Sequence, residues 1–249
     1  MSIEQTLRDF AVKEGNGAFP HLSREDVVDG LMTRVNDPYT VKQGQASLCG
    51  PASLAFSLLR AAPEVWVDYV TGMYDYGSAK LGTLMVEPSA ACRQARASTK
   101  IAPVDWVGLA SLRDSENTVF NYDDPDREFA GITLPGGLAG WMEKAGSKAT
   151  SNQTNVSYTK NAANLLEASN RLDGGHSVCL FISAGVLSGE ATGTFSIPNH
   201  WVVMVKRPQF TAASEYVSLD VFTWGTRRTV HVLQRTFLSA YYGYVSGKW

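Results

Sequence analysis

The sequence has little cysteine and no concentrated charge. Its three cysteines are widely separated and include no Cys-x-x-Cys pair, which argues against a disulfide framework and against a structural zinc site. The formal net charge is −2 and no long run of lysine or arginine is present, so nucleic acid is not an expected partner. We expect neither a metal nor an organic cofactor.

Long apolar runs are also missing. No stretch approaches the roughly 18 to 20 apolar residues that cross a bilayer, so we expect no membrane span. The N-terminal residues lack the basic and apolar regions of a secretory signal, which predicts a protein made in the cytoplasm and not exported by the general route. With 44% hydrophobic residues, the 249-residue chain has enough apolar side chains for a large core.

The order of helical and strand patterns predicts an α+β fold. Ser2 with Gln5, and Ser23 with Asp26, resemble helix capping boxes. Further helices are predicted at residues 52–59, 63–76, 103–113, 136–145 and 162–172. Runs of β-branched and aromatic residues predict antiparallel strands at residues 177–183, 200–206, 216–224, 229–233 and 241–245. The acidic stretch 121–128 is predicted to be a surface loop.

No internal repeat or low-complexity linker interrupts the chain, which predicts a single domain over residues 1–249. Within it we expect a helical extension at 1–38, a mainly helical part at 39–175 and an antiparallel sheet at 176–249.

Cys49 directly precedes a predicted helix. Gly50 and Pro51 follow it and open an apolar helical run, where proline suits the first turn. A helix N-terminus stabilises a thiolate, and the thiolate is the nucleophilic form of cysteine. Cys49 is therefore the candidate nucleophile, with its own N–H as one oxyanion donor. Cys92 and Cys179 are interpreted as packing residues instead.

The segment around Cys49 resembles papain-like cysteine peptidases, because Gln43 precedes the cysteine by six positions and Gly50-Pro51 opens the helix. Within that superfamily it is most similar to the peptidases that process double-glycine leader peptides. The strand from His200 resembles the strand that carries the family's base histidine, and the strand containing Asp220 resembles the next one. The resemblance implies a papain-like fold, a helix-borne nucleophile packed on an antiparallel sheet, a Cys-His-Asp triad in that chain order, and Gln43 in the oxyanion hole.

The sequence departs from papain at the third triad position. Papain's Asn-Ser-Trp-Gly corresponds to Phe222-Thr223-Trp224-Gly225, so the orienting residue does not stand where papain has it. Asp220 lies two residues earlier, in an otherwise apolar strand where a carboxylate needs a partner. Weaker candidates for this role are Asn199, Thr223 and Asp173.

Alternatives stay open for the other roles as well. His176 also begins a predicted strand and is the rival to His200 as base. Gln45 is the alternative to Gln43 as oxyanion donor. Trp201 and Trp224 are interpreted as core residues rather than residues lining the site.

These residues predict a hydrolase that attacks an amide through a thioester, most directly a peptidase acting on a protein or peptide substrate. The same chemistry is compatible with a deamidase or a transglutaminase-like acyl transferase acting on a protein side chain. A non-catalytic binding module with the same fold is a second alternative. The resemblance also suggests a bacterial effector or toxin delivered by a specialised secretion system, with an immunity protein or chaperone as partner.

Overall fold

The structure, a computed structural model, describes residues 2–44, 47–96, 100–116, 132–189 and 197–249. It is mixed α+β, with helices and an antiparallel sheet, which confirms the predicted class. The chain divides into two compact units, Met1–Thr133 with Lys144–Gly146, and Leu134–Glu143 with Ser147–Trp249. The predicted loop at 121–128 lies outside the described residues.

The first unit is mainly helical. Its described helices are α1 (Ile3–Ala11), α2 (Arg24–Asn36), α3 (Cys49–Ala61), α4 (Pro63–Tyr76), α5 (Ala90–Arg93), α6 (Pro103–Asp105) and α7 (Ser111–Ser115). A 3-10 turn, Pro38–Thr40, follows α2, and a π-helical segment, Trp106–Ala110, joins α6 to α7. After α4 comes a hairpin of β1 (Ala79–Leu81) and β2 (Leu84–Val86), which the sequence patterns did not predict.

Local sequence signals account for the helix ends. The Ser2 hydroxyl accepts the Gln5 N–H at 3.2 Å, and the Ser23 hydroxyl accepts the Asp26 N–H at 3.0 Å, so both predicted N-caps are confirmed. Gly77, at φ 71°, ends α4 in the left-handed conformation that glycine adopts without strain. In the described ranges, no helix is both long and apolar enough to cross a membrane.

The second unit is built on a six-stranded sheet. Its elements are α8 (Pro135–Lys144, whose last residue belongs to the first unit), β3 (Ser151–Asn152), α9 (Ala162–Asp173), β4 (Ser177–Ile182), β5 (His200–Met204), β6 (Tyr216–Thr223), β7 (Thr226–Leu233), α10 (Gln234–Ser239) and β8 (Tyr241–Gly247). The strand order is β3-β8-β4-β5-β6-β7, with every neighbouring pair antiparallel.

One face of this sheet forms an apolar core with α9. Alternate residues of the strands, among them Val202, Val217 and Val221, pack with Leu165 and Ala168 of α9. Because α9 packs against β4 and β8, it belongs with the sheet. The second unit therefore begins earlier in the chain than the predicted sheet boundary at residue 176.

Candidate active site

Cys49 is the first residue of α3, so the helix begins earlier than the predicted run at 52–59, which the cysteine was expected to precede. The preceding residue, Leu48, provides no side-chain cap, and Pro51 has no N–H. The N-terminus of a helix carries a partial positive charge. Every residue of α3 from Cys49 to Leu59 is buried, so solvent screens the electric field of the helix dipole little. A thiolate at Cys49 is stabilised by this position.

Gly50 permits a close contact at the start of the same helix. A Cβ on Gly50 would lie 2.3 Å from Oγ1 of the buried Thr133 and 2.5 Å from its Cβ. No side chain fits between them, so glycine at this position lets Thr133 pack directly on the first turn of α3. Gly50, the residue after Cys49, is therefore fixed by packing as well as by helix formation.

Gln43 is 5% exposed and lies in the loop that leads to α3. The next residue, Gly44, has φ +62°, and a Cβ there would lie 2.8 Å from Cγ1 of Ile101. Both the backbone conformation and the contact favour glycine. The alternative oxyanion donor, Gln45, lies outside the described residues.

A buried ion pair holds the other side of this loop. Oδ2 of Asp105 accepts the backbone N–H of Lys42 at 3.1 Å and a guanidinium N–H of Arg34 at 2.6 Å. Burial raises the pKa of Asp105, while the hydrogen bond from Arg34 acts in the opposite direction. Asp105 thereby fixes the residue that precedes Gln43, a link between α2, α6 and the loop that no sequence motif indicates.

His200 is buried at the start of β5, and its Nε2 lies 2.7 Å from Oγ1 of Thr223 at the end of β6. Val203 pairs with Phe222 across these antiparallel strands, so alternation puts His200 and Thr223 on one face of the sheet. This contact engages Nε2, one of the two ring nitrogens. Burial lowers the pKa of His200 to about 4, which keeps the imidazole neutral at neutral pH.

Trp224 stacks on the His200 ring, with 4.6 Å between ring centroids and 21° between planes. It forms, with Gly225, the two-residue turn between β6 and β7. Its φ is +47°, and among the described residues no other non-glycine residue has a positive φ. Such turns favour Asn-Gly, because a bulky residue at positive φ is strained. Strain of this kind clusters at functional sites.

The two tryptophans differ from each other. Trp201 is 1% exposed and stacks on Phe181 at 4.5 Å, which confirms its interpretation as core. Trp224 is 39% exposed, so its interpretation as a core residue is wrong. The sequence feature that could have indicated this exposure is the turn that Trp224 occupies, immediately after a strand.

Asp220 does not contact His200. Its carboxylate accepts hydrogen bonds from Thr229 and Arg227 on β7, and these interactions lower its pKa. Alternation along β6 directs the side chain of residue 220 to the face opposite that of Thr223. In the structure the His200 ring contacts Thr223, one of the weaker candidates, and not Asp220.

The remaining candidates have other partners. His176 lies after α9, with Nδ1 3.1 Å from the carbonyl oxygen of Arg171. Asp173 pairs with Arg207, and the Asn199 side chain accepts the N–H of Ala184 at 2.8 Å. Cys92 and Cys179 are fully buried, as expected of packing residues. All three cysteines fall in the described ranges, and none forms a disulfide.

The predicted site residues are thus distributed over both units. Gln43 and Cys49 belong to the first unit, and His200, Asp220 and Thr223 to the second. Comparison of the chain with protein-family models, curated proteins and solved structures gave no match.

Proposed function

We propose that the protein is a papain-like cysteine hydrolase that cleaves an amide bond, with Cys49 as nucleophile and His200 as base. The observation that carries the proposal is the fixation of a buried imidazole by two specific contacts. Thr223 holds Nε2, strained Trp224 covers the ring, and Nδ1 is left to accept a proton. A fold seldom maintains this arrangement for packing alone, because the strained turn costs on the order of 1–3 kcal/mol.

Thr223 determines which nitrogen of His200 is basic. When its hydroxyl oxygen accepts the Nε2 proton, Nδ1 carries the lone pair. Nδ1 then takes the thiol proton of Cys49 as Sγ attacks the carbonyl carbon of the substrate. The helix N-terminus stabilises the negative charge on sulfur. That negative charge favours the protonated form of the nearby imidazole, and so opposes the effect of burial, which lowers the pKa of His200.

The later steps follow from the same groups. The Cys49 N–H and the Gln43 side chain stabilise the oxyanion of the tetrahedral intermediate. The His200 imidazolium donates its proton to the leaving amine as the carbon–nitrogen bond breaks. Water then attacks the thioester carbon, with His200 again as base, and the acid product and Cys49 thiol are released.

The proposal is tested by alkylating the intact protein with iodoacetamide from pH 5 to 9 and reading each cysteine by peptide mass. Cys49 is expected to react fastest, while fully buried Cys92 and Cys179 serve as internal references. His200→Ala is expected to slow the reaction of Cys49 about a hundredfold at pH 6, and His176→Ala to leave it unchanged. Equal reaction of Cys49 in the wild type and His200→Ala would contradict the proposed pair.

The orienting role is tested by matched variants. Thr223→Ser retains a hydroxyl and is expected to keep the reactivity of Cys49, whereas Thr223→Val removes the partner of Nε2 and lowers it. Asp220→Asn is expected to have no effect on this reactivity. The opposite result, in which Asp220→Asn lowers the reactivity of Cys49 and Thr223→Val leaves it unchanged, would indicate that the Asp220 carboxylate orients His200.

The acceptor and the substrate are identified by mass. Cleavage of a diverse peptide library supports a peptidase, whereas an increase of about one dalton in an intact protein, with ammonia released, supports a deamidase. Joining of an added amine supports a transglutaminase-like enzyme. Each activity is expected to disappear in Cys49→Ala, and a biological activity that persists in this variant would favour a binding module.

A further inference from the structure

Arg228 adds a positive charge beside the His200 ring. It lies on β7 opposite Val221, so its side chain shares the sheet face of Thr223 and His200. Its guanidinium carbon is 5.5 Å from the centroid of the Trp224 ring, which itself stacks on His200 at 4.6 Å. The guanidinium carbon therefore lies within about 10 Å of the centre of the imidazole ring.

The charge of Arg228 has no carboxylate partner in the described part of the chain. The neighbouring Arg227 is paired with Asp220 on the other face of the hairpin, and Arg207 is paired with Asp173. A guanidinium can lie over an aromatic ring while its N–H groups point outward in its plane. These N–H groups can bind a carboxylate in bidentate fashion while the ring contact is kept.

We infer that Arg228 selects substrates that carry a carboxylate close to the amide bond that is cleaved. The inference rests on the proposed function, since it assumes reaction beside His200. An extended peptide rises about 3.3 Å per residue, so the upper limit on the distance between imidazole and guanidinium corresponds to about three residues. The carboxylate therefore belongs to an acidic side chain within about three residues of the reacting amide, or to a chain terminus at that distance.

The inference is tested without a known substrate by comparing two alkylating reagents of similar size. Iodoacetate is an anion and iodoacetamide is neutral, so the ratio of their rate constants at Cys49 reports the local positive charge. Arg228→Gln is expected to lower this ratio by about threefold to tenfold, as the loss of one positive charge within about 10 Å of the His200 ring implies. The decrease should be smaller at high salt.

Two matched variants separate charge from packing. Arg228→Lys keeps the charge and is expected to keep most of the ratio. Arg235→Gln removes the same charge from an exposed residue of α10 and should leave the ratio unchanged. A ratio that is unchanged in Arg228→Gln, or that changes equally in Arg235→Gln, would overturn the inference.

The outcomes also distinguish the two proposals. If iodoacetamide labelling depends on His200 but the ratio is insensitive to Arg228, the hydrolase remains supported and only the specificity fails. If labelling does not depend on His200, both fail. With a library substrate in hand, Asp→Asn changes near the cleaved bond identify a side-chain carboxylate, and C-terminal amidation identifies a terminal one; indifference to both would contradict the inference.

Discussion

The N-terminus of α3 and the end of the β5–β6 pair each present one chemical group of the proposed site, but they hold it by different means. Cys49 is placed by its own segment, because helix formation after Gly50-Pro51 puts it at the positive end of a buried helix. His200 is placed by residues distant in sequence, Thr223 and Trp224. The position of the proposed nucleophile thus depends mainly on local structure, and that of the proposed base on strand register and a strained turn.

This difference predicts different responses to mutation. Changes near Cys49 should act through packing and stability, because the helix and loop are embedded in the core of the first unit. Changes at Thr223 or Trp224 should alter the basicity and orientation of His200 with smaller effects on folding. Four experiments test this contrast, beginning with the largest expected effect.

Asp105→Ala is expected to destabilise the protein by about 3–5 kcal/mol, because it leaves Arg34 buried without its counter-ion. It also removes the acceptor of the Lys42 N–H beside Gln43. The free energy of unfolding in urea gives the measurement. Glu4→Ala, which breaks the exposed pair with Arg8, is the control and should cost less than about 1 kcal/mol. Similar losses in both variants would refute the anchoring role of Asp105.

The low pKa of His200 predicts acid sensitivity. The unfolded imidazole takes up a proton near pH 6.5 but the folded one only near pH 4, so stability is greatest above pH 6.5 and falls as pH decreases through this window. The full loss is about 3 kcal/mol. Urea unfolding at several pH values should show a smaller acid dependence in His200→Gln than in the wild type.

His176 provides the comparison for that experiment. Burial and the charge of Arg171 lower its pKa in the same direction, but it is less buried than His200. His176→Gln is therefore expected to remove less of the acid dependence. If the two variants have equal profiles, the burial of His200 is not the main source of the effect.

Gly50→Ala is expected to cost about 1–3 kcal/mol and to slow alkylation of Cys49, because its Cβ would overlap Thr133. Adding Thr133→Ala to Gly50→Ala should restore part of both losses. In contrast, a Cβ at Gly140 in α8 meets no atom within 4 Å, so Gly140→Ala should be neutral or stabilise by about 0.5–1 kcal/mol. Thermal unfolding and labelling rates of the four variants provide the check.

Trp224→Asn should have the smallest effect on stability and a clear effect on reactivity. Asparagine tolerates positive φ, so relief of strain offsets the lost stacking and the net change should be within about 1 kcal/mol. Alkylation of Cys49 should nevertheless become less dependent on His200. A variant that retains full His200-dependent reactivity would show that Trp224 does not position the ring.

Features encoded in short segments were predictable. Both serine N-caps, the helix after Cys49 and the five main strands follow from capping, proline placement and β-branched runs. The short pairings β1–β2 and β3–β8 were missed, since strands of two or three residues leave almost no periodic signal. The contact between His200 and Thr223 was not predicted either, because strand register places Thr223, rather than Asp220, on the face of His200.

The sequence by itself determined the α+β class, the cysteine at a helix start and the histidine at a strand start. These depend on residues close in the chain, where propensity, capping and side-chain alternation act. Only the tertiary structure decided that Thr223 contacts Nε2, that Trp224 covers the ring and that Asp105 anchors the loop before Gln43. Such contacts depend on register and packing between distant segments, and burial then sets the basicity of His200.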